Sequence, residues 1–201
     1  MLTKIAHRIS NLDELEKIPN NCGIEFDLHA YENKLVICHD AFEKGIQLES
    51  FLCNQNVKNR ILAVNIKEEG IEEKAIETLS NHNVQNFFLF DVSFPQIYRL
   101  GKNFSSNLAL RISQLEKIDI YKCRDFASFL WVDTFDGKFW LNFKEITELK
   151  KLDYKLCFVS PELHRPPIGD FDSFYQSINS FMDLLGDDNY ICTKFINDQI
   201  N

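Results

Sequence analysis

Gly23-Ile24-Glu25-Phe26-Asp27-Leu28-His29 is the stretch that decides the fold of this 201-residue chain. Because successive side chains of a β-strand point to opposite faces, Glu25 and Asp27 share one face and the apolar residues between them share the other. Two carboxylates this close together repel each other unless they share a proton or bind a divalent cation. The stretch therefore predicts a strand with one apolar face and one acidic face that either shares a proton or binds a divalent cation.

Two further short segments flank this strand. Upstream, residues 4–8 form an apolar run that ends in His7 and Arg8, and downstream the run 35–38 is followed by His39-Asp40. An imidazole titrates near neutral pH, and a guanidinium binds phosphate oxygens through its planar set of donors. The order of the three segments predicts a phosphate clamp, a pair of metal ligands and an acid/base pair in one site.

Apolar β-like runs alternate with helical patterns along the whole chain, which is typical of parallel α/β architecture. We predict a compact (β/α)8 TIM-type barrel that forms one domain over residues 1–201, with an open doubly wound sheet as the alternative. The chain has no Gly-rich dinucleotide or P-loop fingerprint. The eight predicted strands cover residues 4–8, 23–30, 60–67, 87–92, 108–112, 129–133, 155–159 and 190–195. The predicted helices cover residues 11–18, 47–53, 71–80, 113–121, 144–152 and 171–185, with one more that begins at Ser93.

Composition limits the classes of partner. An apolar content of 45%, with 18 Phe, is enough for a sizeable core, and a net charge of −8 argues against nucleic acid as a partner. No apolar run is long enough to span a membrane, and no N-terminal apolar segment suggests secretion. The six cysteines are scattered without a CxxC pair. We therefore expect a cytoplasmic protein; the sequence does not indicate its oligomeric state.

The chemistry of such barrels lies at the carboxyl ends of the strands. Charged and polar residues follow strand after strand in this sequence, as expected if they meet at one mouth. They are His7, Arg8, Glu25, Asp27, Asn65, Lys67, Asp91, Arg111, Asp133, Ser160, Glu162 and Lys194.

The pattern His7-Arg8, Glu25-x-Asp27 and His39-Asp40 resembles the N-terminal signature of the glycerophosphodiester phosphodiesterases. These enzymes are related to the phosphatidylinositol-specific phospholipases C. All three motifs occur in order within about forty residues, each at the end of an apolar run, and this makes the resemblance far more specific than any one motif.

The resemblance implies a metal-dependent phosphodiester hydrolase. It implies that Glu25 and Asp27 bind Mg²⁺ or Ca²⁺, both of which prefer oxygen ligands. It makes His7 and His39 the general acid and base, and it places Arg8 and Lys67 on the substrate phosphate. In the family the attacking group is typically a substrate hydroxyl beside the phosphate, which gives a cyclic phosphate that water opens.

The sequence departs from the family pattern at Asn65. The family usually has a carboxylate two residues before the lysine at position 67, as a third metal ligand. Asn65 offers an amide oxygen instead, which removes one negative charge and is expected to weaken cation binding. Glu68 and Glu69 follow closely and offer substitute carboxylates, but either would need a bulge to reach the site.

The second departure is compactness. Family members with a longer insertion after the second histidine use it to shape the glycerol pocket, and here a predicted helix follows within about ten residues. We expect a glycerophosphodiester-like, glycan-linked or polyol-linked phosphodiester as substrate. We assign Arg111, Asp133 and Glu162 to its pocket and favour Trp131 as barrel core. No role is assigned to the remaining histidines, His29, His82 and His164.

Two other functions fit the sequence. The first is a phosphate-ligand binding protein that kept the pocket but lost catalysis through Asn65. The second is a metal-assisted barrel lyase or isomerase acting on a sugar phosphate.

Overall fold

The computed structural model describes residues 2–169 and 171–197, and ten strands occur in these two ranges. All ten belong to one hydrogen-bonded sheet. The strands are β1 (Thr3–Ala6), β2 (Gly23–Tyr31), β3 (Lys34–Ile37), β4 (Ile46–Gln47), β5 (Leu62–Ile66), β6 (Phe87–Phe90), β7 (Ala109–Ile112), β8 (Phe129–Val132), β9 (Lys155–Val159) and β10 (Tyr190–Thr193).

Eight of the strands described by the structure form a ring of parallel neighbours. Around the ring the order is β1, β2, β5, β6, β7, β8, β9, β10 and back to β1. Seven of the eight junctions are regular ladders, and the β6–β7 junction is one parallel bridge between Leu89 and Leu108. That bridge closes the barrel, so the predicted (β/α)8 fold is confirmed.

Two short strands lie outside the ring. The second half of β2 runs beyond the barrel and pairs with β3 in antiparallel fashion, with Leu28 opposite Ile37. Strand β4 then pairs with β3. This extension carries His39 and Asp40 on the segment that connects β3 to β4.

The helices follow the strands in the order that a barrel requires. They are α1 (Leu12–Leu15), α2 (Leu48–Leu52), α3 (Glu72–Asn81), α4 (Phe94–Phe104), α5 (Ile120–Cys123), α6 (Phe143–Lys151), α7 (Phe171–Asn179) and α8 (Met182–Leu185). Helix α6 begins with a capping box in which Asn142 and Glu145 exchange hydrogen bonds. Helix α1 uses Asn11 as its N-cap, as predicted, but it ends at Leu15 rather than at residue 18.

Two predicted helices differ from the structure. The helix predicted over 113–121 is wrong, because the Ser113 hydroxyl accepts from the backbone N–H groups of Leu115 and Glu116 and closes a local turn instead. Only the last part of that segment is helical, as α5. The long helix predicted over 171–185 is divided into α7 and α8, and the Ser180 hydroxyl at the break donates to the Ser177 carbonyl.

The barrel interior is filled mainly by aromatic side chains. Phe88 stacks on Phe129 with ring centroids 4.5 Å apart, and Phe90 stacks on Trp131 at 3.9 Å. The small side chain of Ala63 lies in the same cluster and leaves room for the rings. Trp131 is therefore barrel core, as the sequence predicted. The opposite strand faces pack against the helices in a second, larger apolar cluster.

Candidate active site

A cavity of about 140 Å³ opens at the carboxyl end of the barrel. Its floor is the stacked pair Phe90 and Trp131 together with Val159. Polar side chains from both sides of the barrel converge above that floor. The lining residues are His7, Glu25, Asn65, Phe90, Asp91, Arg111, Trp131, Asp133, Val159, Leu163 and His164.

A second cavity, of about 180 Å³, lies between α5 and α6 outside the barrel. Although it is larger, its wall is mostly apolar, with Ile118, Trp140 and Leu149 among its lining residues. None of the site residues predicted from the sequence borders it. The candidate active site is therefore the cavity at the barrel mouth, where the polar groups converge.

Glu25 lies on the interior face of β2 and is 1% exposed. Its Oε2 accepts a hydrogen bond of 2.7 Å from the backbone N–H of Arg8, a residue with a left-handed backbone (φ 60°). Burial, and then the charge of Asp27, raise the pKa of Glu25 to about 8. Without a cation, this carboxyl group is therefore mostly protonated at neutral pH.

His7 follows β1 and lies beside Glu25, with Nε2 3.8 Å from Glu25 Oε2. Burial, followed by the positive charges of Arg8, Lys194 and Arg165, lowers the pKa of His7 to about 3. Its Nδ1 is buried and has no hydrogen-bond partner within the described residues. His7 is thus a neutral imidazole at physiological pH, and it can accept a proton.

Asp27 is the point at which the other predicted site residues meet. The Nε of Arg8 lies 3.4 Å from Asp27 Oδ2, and the Nζ of Lys67 lies 3.6 Å from Oδ1. Asn65, which is the register partner of Asp27 on β5, donates from Nδ2 to the same Oδ1 at 2.9 Å. The two cations predicted to bind phosphate therefore neutralise Asp27 here.

Asn65 places its side-chain amide beside Asp27. The described residues contain no group of three His, Cys, Asp or Glu side chains placed to bind a metal, so a cation held by Glu25 and Asp27 would need the Asn65 oxygen as its third protein ligand. The Oδ1 of Asn65 is buried and accepts no hydrogen bond. A buried oxygen without a partner beside two carboxylates fits a hard cation such as Mg²⁺ or Ca²⁺.

The two glutamates considered as substitute ligands lie elsewhere. Glu68 accepts a hydrogen bond of 3.0 Å from the backbone N–H of Ala30, and Glu69 contacts Gln96 at 3.4 Å. Neither lines the cavity. The interpretation that they replace the missing carboxylate is therefore wrong.

His39 and Asp40 lie at the edge of the mouth. His39 Nδ1 is 2.6 Å from Asp40 Oδ1, and this hydrogen bond lowers the pKa of Asp40. The two side chains are 45% and 69% exposed, and His39 is not among the residues that line the cavity. The structure thus brings His39 close to the site without placing it in the cavity wall.

On the opposite side, Arg111 joins two acids from neighbouring strands. It contacts Asp91 through two of its nitrogens, one at 3.0 Å, and Asp133 at 3.1 Å. Asp133 also accepts from the Thr134 backbone N–H at 2.8 Å and contacts His164 Nε2 at 3.0 Å. Arg111 and Asp133 line the cavity where the sequence placed them.

Glu162 is in a different position from the one predicted. Its carboxylate is 5% exposed and is hydrogen-bonded to the hydroxyls of Ser160 and Thr193 and to the backbone N–H of Lys194. It does not line the cavity. These bonds connect the segments that follow β9 and β10, so Glu162 has a structural position outside the cavity wall.

His164 lines the cavity, and the sequence analysis assigned it no role. It lies five residues after β9, beyond a 3-10 turn at Pro161–Leu163, where neither strand alternation nor a motif identifies it. The sequence feature that could have identified His164 is its place in the segment after a strand end, close to Ser160 and Glu162. Its partner Asp133 comes from a different strand, so their contact required the fold.

Comparison with known proteins identifies the fold. No family model and no curated protein matches the sequence. Among solved structures, a glycerophosphodiester phosphodiesterase from Thermotoga maritima aligns with a TM-score of 0.66 and 16% identity, over 98% of this chain and 96% of that one. The chain has a glycerophosphodiester phosphodiesterase-like fold.

Two other solved structures support this assignment. The glycerophosphodiester phosphodiesterase from Agrobacterium tumefaciens str. C58 aligns with a TM-score of 0.64 and 12% identity, over 96% of each chain. One from Parabacteroides distasonis aligns with a TM-score of 0.58 and 14% identity, over 95% of this chain and 92% of that one. Across the residues that the structure describes, no helix combines the length and the apolar character needed to cross a bilayer.

Proposed function

We propose that the protein is a metal-dependent phosphodiester hydrolase acting on a glycerophosphodiester-like, glycan-linked or polyol-linked substrate. The observation that carries the proposal is a group of buried oxygen-bearing side chains at one side of the mouth. Glu25, Asp27 and the unpartnered oxygen of Asn65 meet there, beside a neutral imidazole at His7. The fold shared with glycerophosphodiester phosphodiesterases supports this choice of reaction.

Glu25, Asp27 and Asn65 would hold the cation, Mg²⁺ or Ca²⁺. When bound, it supplies positive charge to the phosphate oxygens. In the structure, Arg8 contacts one carboxylate oxygen of Asp27 and Lys67 contacts the other. A phosphate entering beside them offers both side chains a second anion, and the guanidinium of Arg8 matches it through paired donors.

Proton transfer is assigned to His7 and His39. His7 is a neutral imidazole in the cavity wall, so a ring nitrogen is open to the proton of the attacking hydroxyl. His39 is held through Nδ1 by Asp40, which fixes the orientation of the ring and leaves Nε2 for the substrate. Because His7 lies in the cavity wall and His39 lies at the edge of the mouth, the phosphate would bind between the two histidines.

The experiment is a panel of small phosphodiesters incubated with Mg²⁺, Ca²⁺ or Mn²⁺ and followed by phosphorus NMR. We expect monoester or cyclic-phosphate signals that need the cation, that disappear with EDTA, and that fall at least about a hundredfold in His39→Ala. The panel contains glycerophosphodiesters, a glycan-linked diester and a sugar phosphate monoester. Turnover of the monoester alone would contradict the proposal.

One observation favours a second candidate, a phosphate-ligand binding protein. The contacts of Arg8 and Lys67 with Asp27, together with the amide at position 65, leave less negative charge for a cation than three carboxylates would. That candidate predicts thermal stabilisation by a phosphodiester without turnover, and unchanged stabilisation in His39→Ala. The hydrolase proposal instead predicts that the phosphodiester is converted to product.

A further inference from the structure

Asp91 is a charged residue of the cavity wall that no sequence motif includes. It directly follows β6 and has a left-handed backbone, with a φ of 57°. Arg111 donates to Asp91 Oδ1 from Nε at 3.0 Å and from a second nitrogen. Within the described residues, the other carboxylate oxygen, Oδ2, makes no hydrogen bond. The side chain, which is 25% exposed, therefore lines the cavity with one acceptor that no protein donor uses.

His164 adds a second acceptor to the same cavity wall. Its Nε2 lies 3.0 Å from Asp133 Oδ1, and Asp133 Oδ2 accepts from Arg111 at 3.1 Å. A neutral imidazole donates from one nitrogen and accepts at the other, so a bond from Nε2–H to the carboxylate leaves Nδ1 as an acceptor. Nδ1 makes no hydrogen bond within the part of the chain that the structure describes.

The charges of this wall favour a neutral ligand that donates hydrogen bonds. Asp91 and Asp133 each carry one negative charge and Arg111 carries one positive charge, so the net charge of the three is −1. Such a wall repels a second anion. A hydroxyl, in contrast, gives its hydrogen to a carboxylate oxygen or to an imidazole nitrogen without adding charge. The wall is therefore suited to the hydroxyls of a polyol.

The positions of the proposed acid and base determine which part of the substrate meets this wall. His7 lines the cavity, whereas His39 lies at the edge of the mouth. The unit whose hydroxyl gives its proton to His7 therefore lies inside the cavity, and the leaving alcohol lies outside it, towards His39. Because Asp91 and His164 line the same cavity as His7, they face the remaining hydroxyls of the attacking unit.

The size of the cavity limits that unit. Its volume of about 140 Å³ is less than half of the roughly 300 Å³ at which pockets for drug-sized ligands begin. The stacked rings of Phe90 and Trp131 close it from below. The cavity therefore has room for a short polyol but not for a glycan.

We propose that Asp91 is a specificity-determining residue that accepts a hydrogen bond from a free hydroxyl of a short polyol unit, with Nδ1 of His164 as the second acceptor. The inference rests on the proposed function. It narrows the substrate to the ester of a short polyol that carries at least one hydroxyl besides the attacking one. Both proton transfers stay with His7 and His39.

The test compares two phosphodiesters that differ by one hydroxyl. One is an ester of glycerol, and the other is an ester of propane-1,2-diol, which keeps the hydroxyl beside the phosphate and lacks the terminal one. Both carry the leaving alcohol that is released fastest in the diester panel. For the wild type we expect kcat/KM to be about tenfold to a hundredfold higher on the glycerol ester, as one hydrogen bond to a charged group predicts.

The variant is Asp91→Gly, because glycine adopts a left-handed backbone without strain. We expect the preference for the glycerol ester to fall below about threefold, since the charged acceptor is gone. Each preference is a ratio measured on one variant, so a general loss of activity cancels. A merely structural role of Asp91 would therefore leave the ratio unchanged.

Asp153→Gly is the matched control. Asp153 also has a left-handed backbone, with a φ of 59°, and it also pairs with an arginine, Arg124, at 3.5 Å. It precedes β9, at the end of the barrel opposite the mouth. Circular dichroism and melting temperature establish that each variant is folded.

Three results would overturn the assignment of Asp91. They are equal kcat/KM of the wild type on the two esters, an unchanged preference in Asp91→Gly, and a higher kcat/KM on an ester in which an ammonium group replaces the terminal hydroxyl. Each of them leaves the proposed hydrolase intact. Absence of wild-type turnover on every phosphodiester would overturn the proposed function itself, so the two failures are distinguishable.

Discussion

The two sides of the barrel mouth are built differently. On the β1, β2 and β5 side, Glu25 and Asp27 lie two residues apart on one strand. On the β6, β7 and β8 side, Asp91, Arg111 and Asp133 come from three strands that are about twenty residues apart in sequence. We call the first the motif side and the second the far side. A short motif specifies the first, and only the closed barrel assembles the second.

Their electrostatics differ as well. On the motif side a carboxyl group, Glu25, is buried with a raised pKa, and an amide oxygen of Asn65 has no partner. On the far side, Arg111 forms ion pairs with Asp91 and Asp133, and His164 contacts the other carboxylate oxygen of Asp133. The motif side therefore has a protonated carboxyl group and an unpaired amide oxygen, while the acids of the far side are already paired with Arg111. This difference supports the proposal that a cation binds on the motif side and that the far side positions the substrate.

Removing His7 should have the largest effect. We expect His7→Ala to lower kcat/KM on a glycerophosphodiester by about a hundredfold to ten-thousandfold, because it removes the proton acceptor of the motif side. Phosphorus NMR or an assay of the released alcohol measures this, with His82→Ala as the control. Activity within about threefold of wild type would show that the motif side does not perform proton transfer.

The pH dependence of stability should single out Glu25. Its pKa is about 8 in the folded protein and 4.5 ordinarily, so folding favours the protonated form. The stabilising contribution is complete below pH 4.5 and is lost as the pH rises through about 8. Between about pH 6 and pH 8 we expect a loss on the order of 2 kcal/mol in the free energy of unfolding.

Urea unfolding in EDTA measures this loss. Glu25→Gln should remove it, and saturating Mg²⁺ should reduce it in the wild-type protein, because a bound cation stabilises the ionised carboxylate. The lowered pKa of His7, about 3, contributes with the opposite sign, because its stabilisation is present above pH 6.5 and is lost as the pH falls towards 3. An unchanged alkaline slope in Glu25→Gln would contradict this explanation.

On the far side, Arg111→Met should leave two acids without their cation. Because Asp133 is only 4% exposed, we expect the free energy of unfolding to fall by about 2 kcal/mol. The matched control is Arg99→Met, which breaks an exposed pair with Glu73 and should cost less than about 0.5 kcal/mol. Equal losses in the two variants would show that the far side is not an internally compensated unit.

Asn65→Asp should have a smaller effect on the motif side, and this change should strengthen cation binding. A carboxylate at this position restores the charge that the family pattern supplies, so we expect affinity for Mg²⁺ to rise about tenfold, or about 1.4 kcal/mol. Isothermal titration calorimetry measures it, with Asn65→Ala expected to weaken binding. Unchanged affinity in both variants would place the cation away from residue 65.

The sequence predicted the motif side better than the far side for a physical reason. Strand alternation makes Glu25 and Asp27 share a face regardless of the rest of the fold. The rule that barrel chemistry lies at strand ends also singled out Arg111 and Asp133, and both line the cavity at the mouth. The same rule did not place Glu162, which is buried in hydrogen bonds and does not face the cavity. That position depends on the neighbouring strand, because the Thr193 hydroxyl donates to the Glu162 carboxylate.

The barrel itself was predictable, and its connections were less so. Eight apolar runs that alternate with helical patterns were sufficient to predict the fold. The conformation of the segment 113–121 was not predictable in this way, because two hydrogen bonds to the Ser113 hydroxyl stabilise a turn instead of a helix. His164 could not be predicted, because a 3-10 turn and a partner on β8 set its position. Closure of the ring through Leu89 and Leu108 also involves no sequence signal.

His7 and His39 are proposed to act as acid and base on one phosphodiester, and a double-mutant cycle on the two residues tests this most directly. The measured quantity is kcat/KM on an alkyl glycerophosphodiester for wild type, His7→Ala, His39→Ala and the double variant. Groups that act in one transition state are strongly non-additive, so we predict that the double variant is slower than the slower single variant by less than about tenfold. If the two losses instead multiply, or if His39→Ala loses nothing, the two histidines do not act together and the proposal is contradicted.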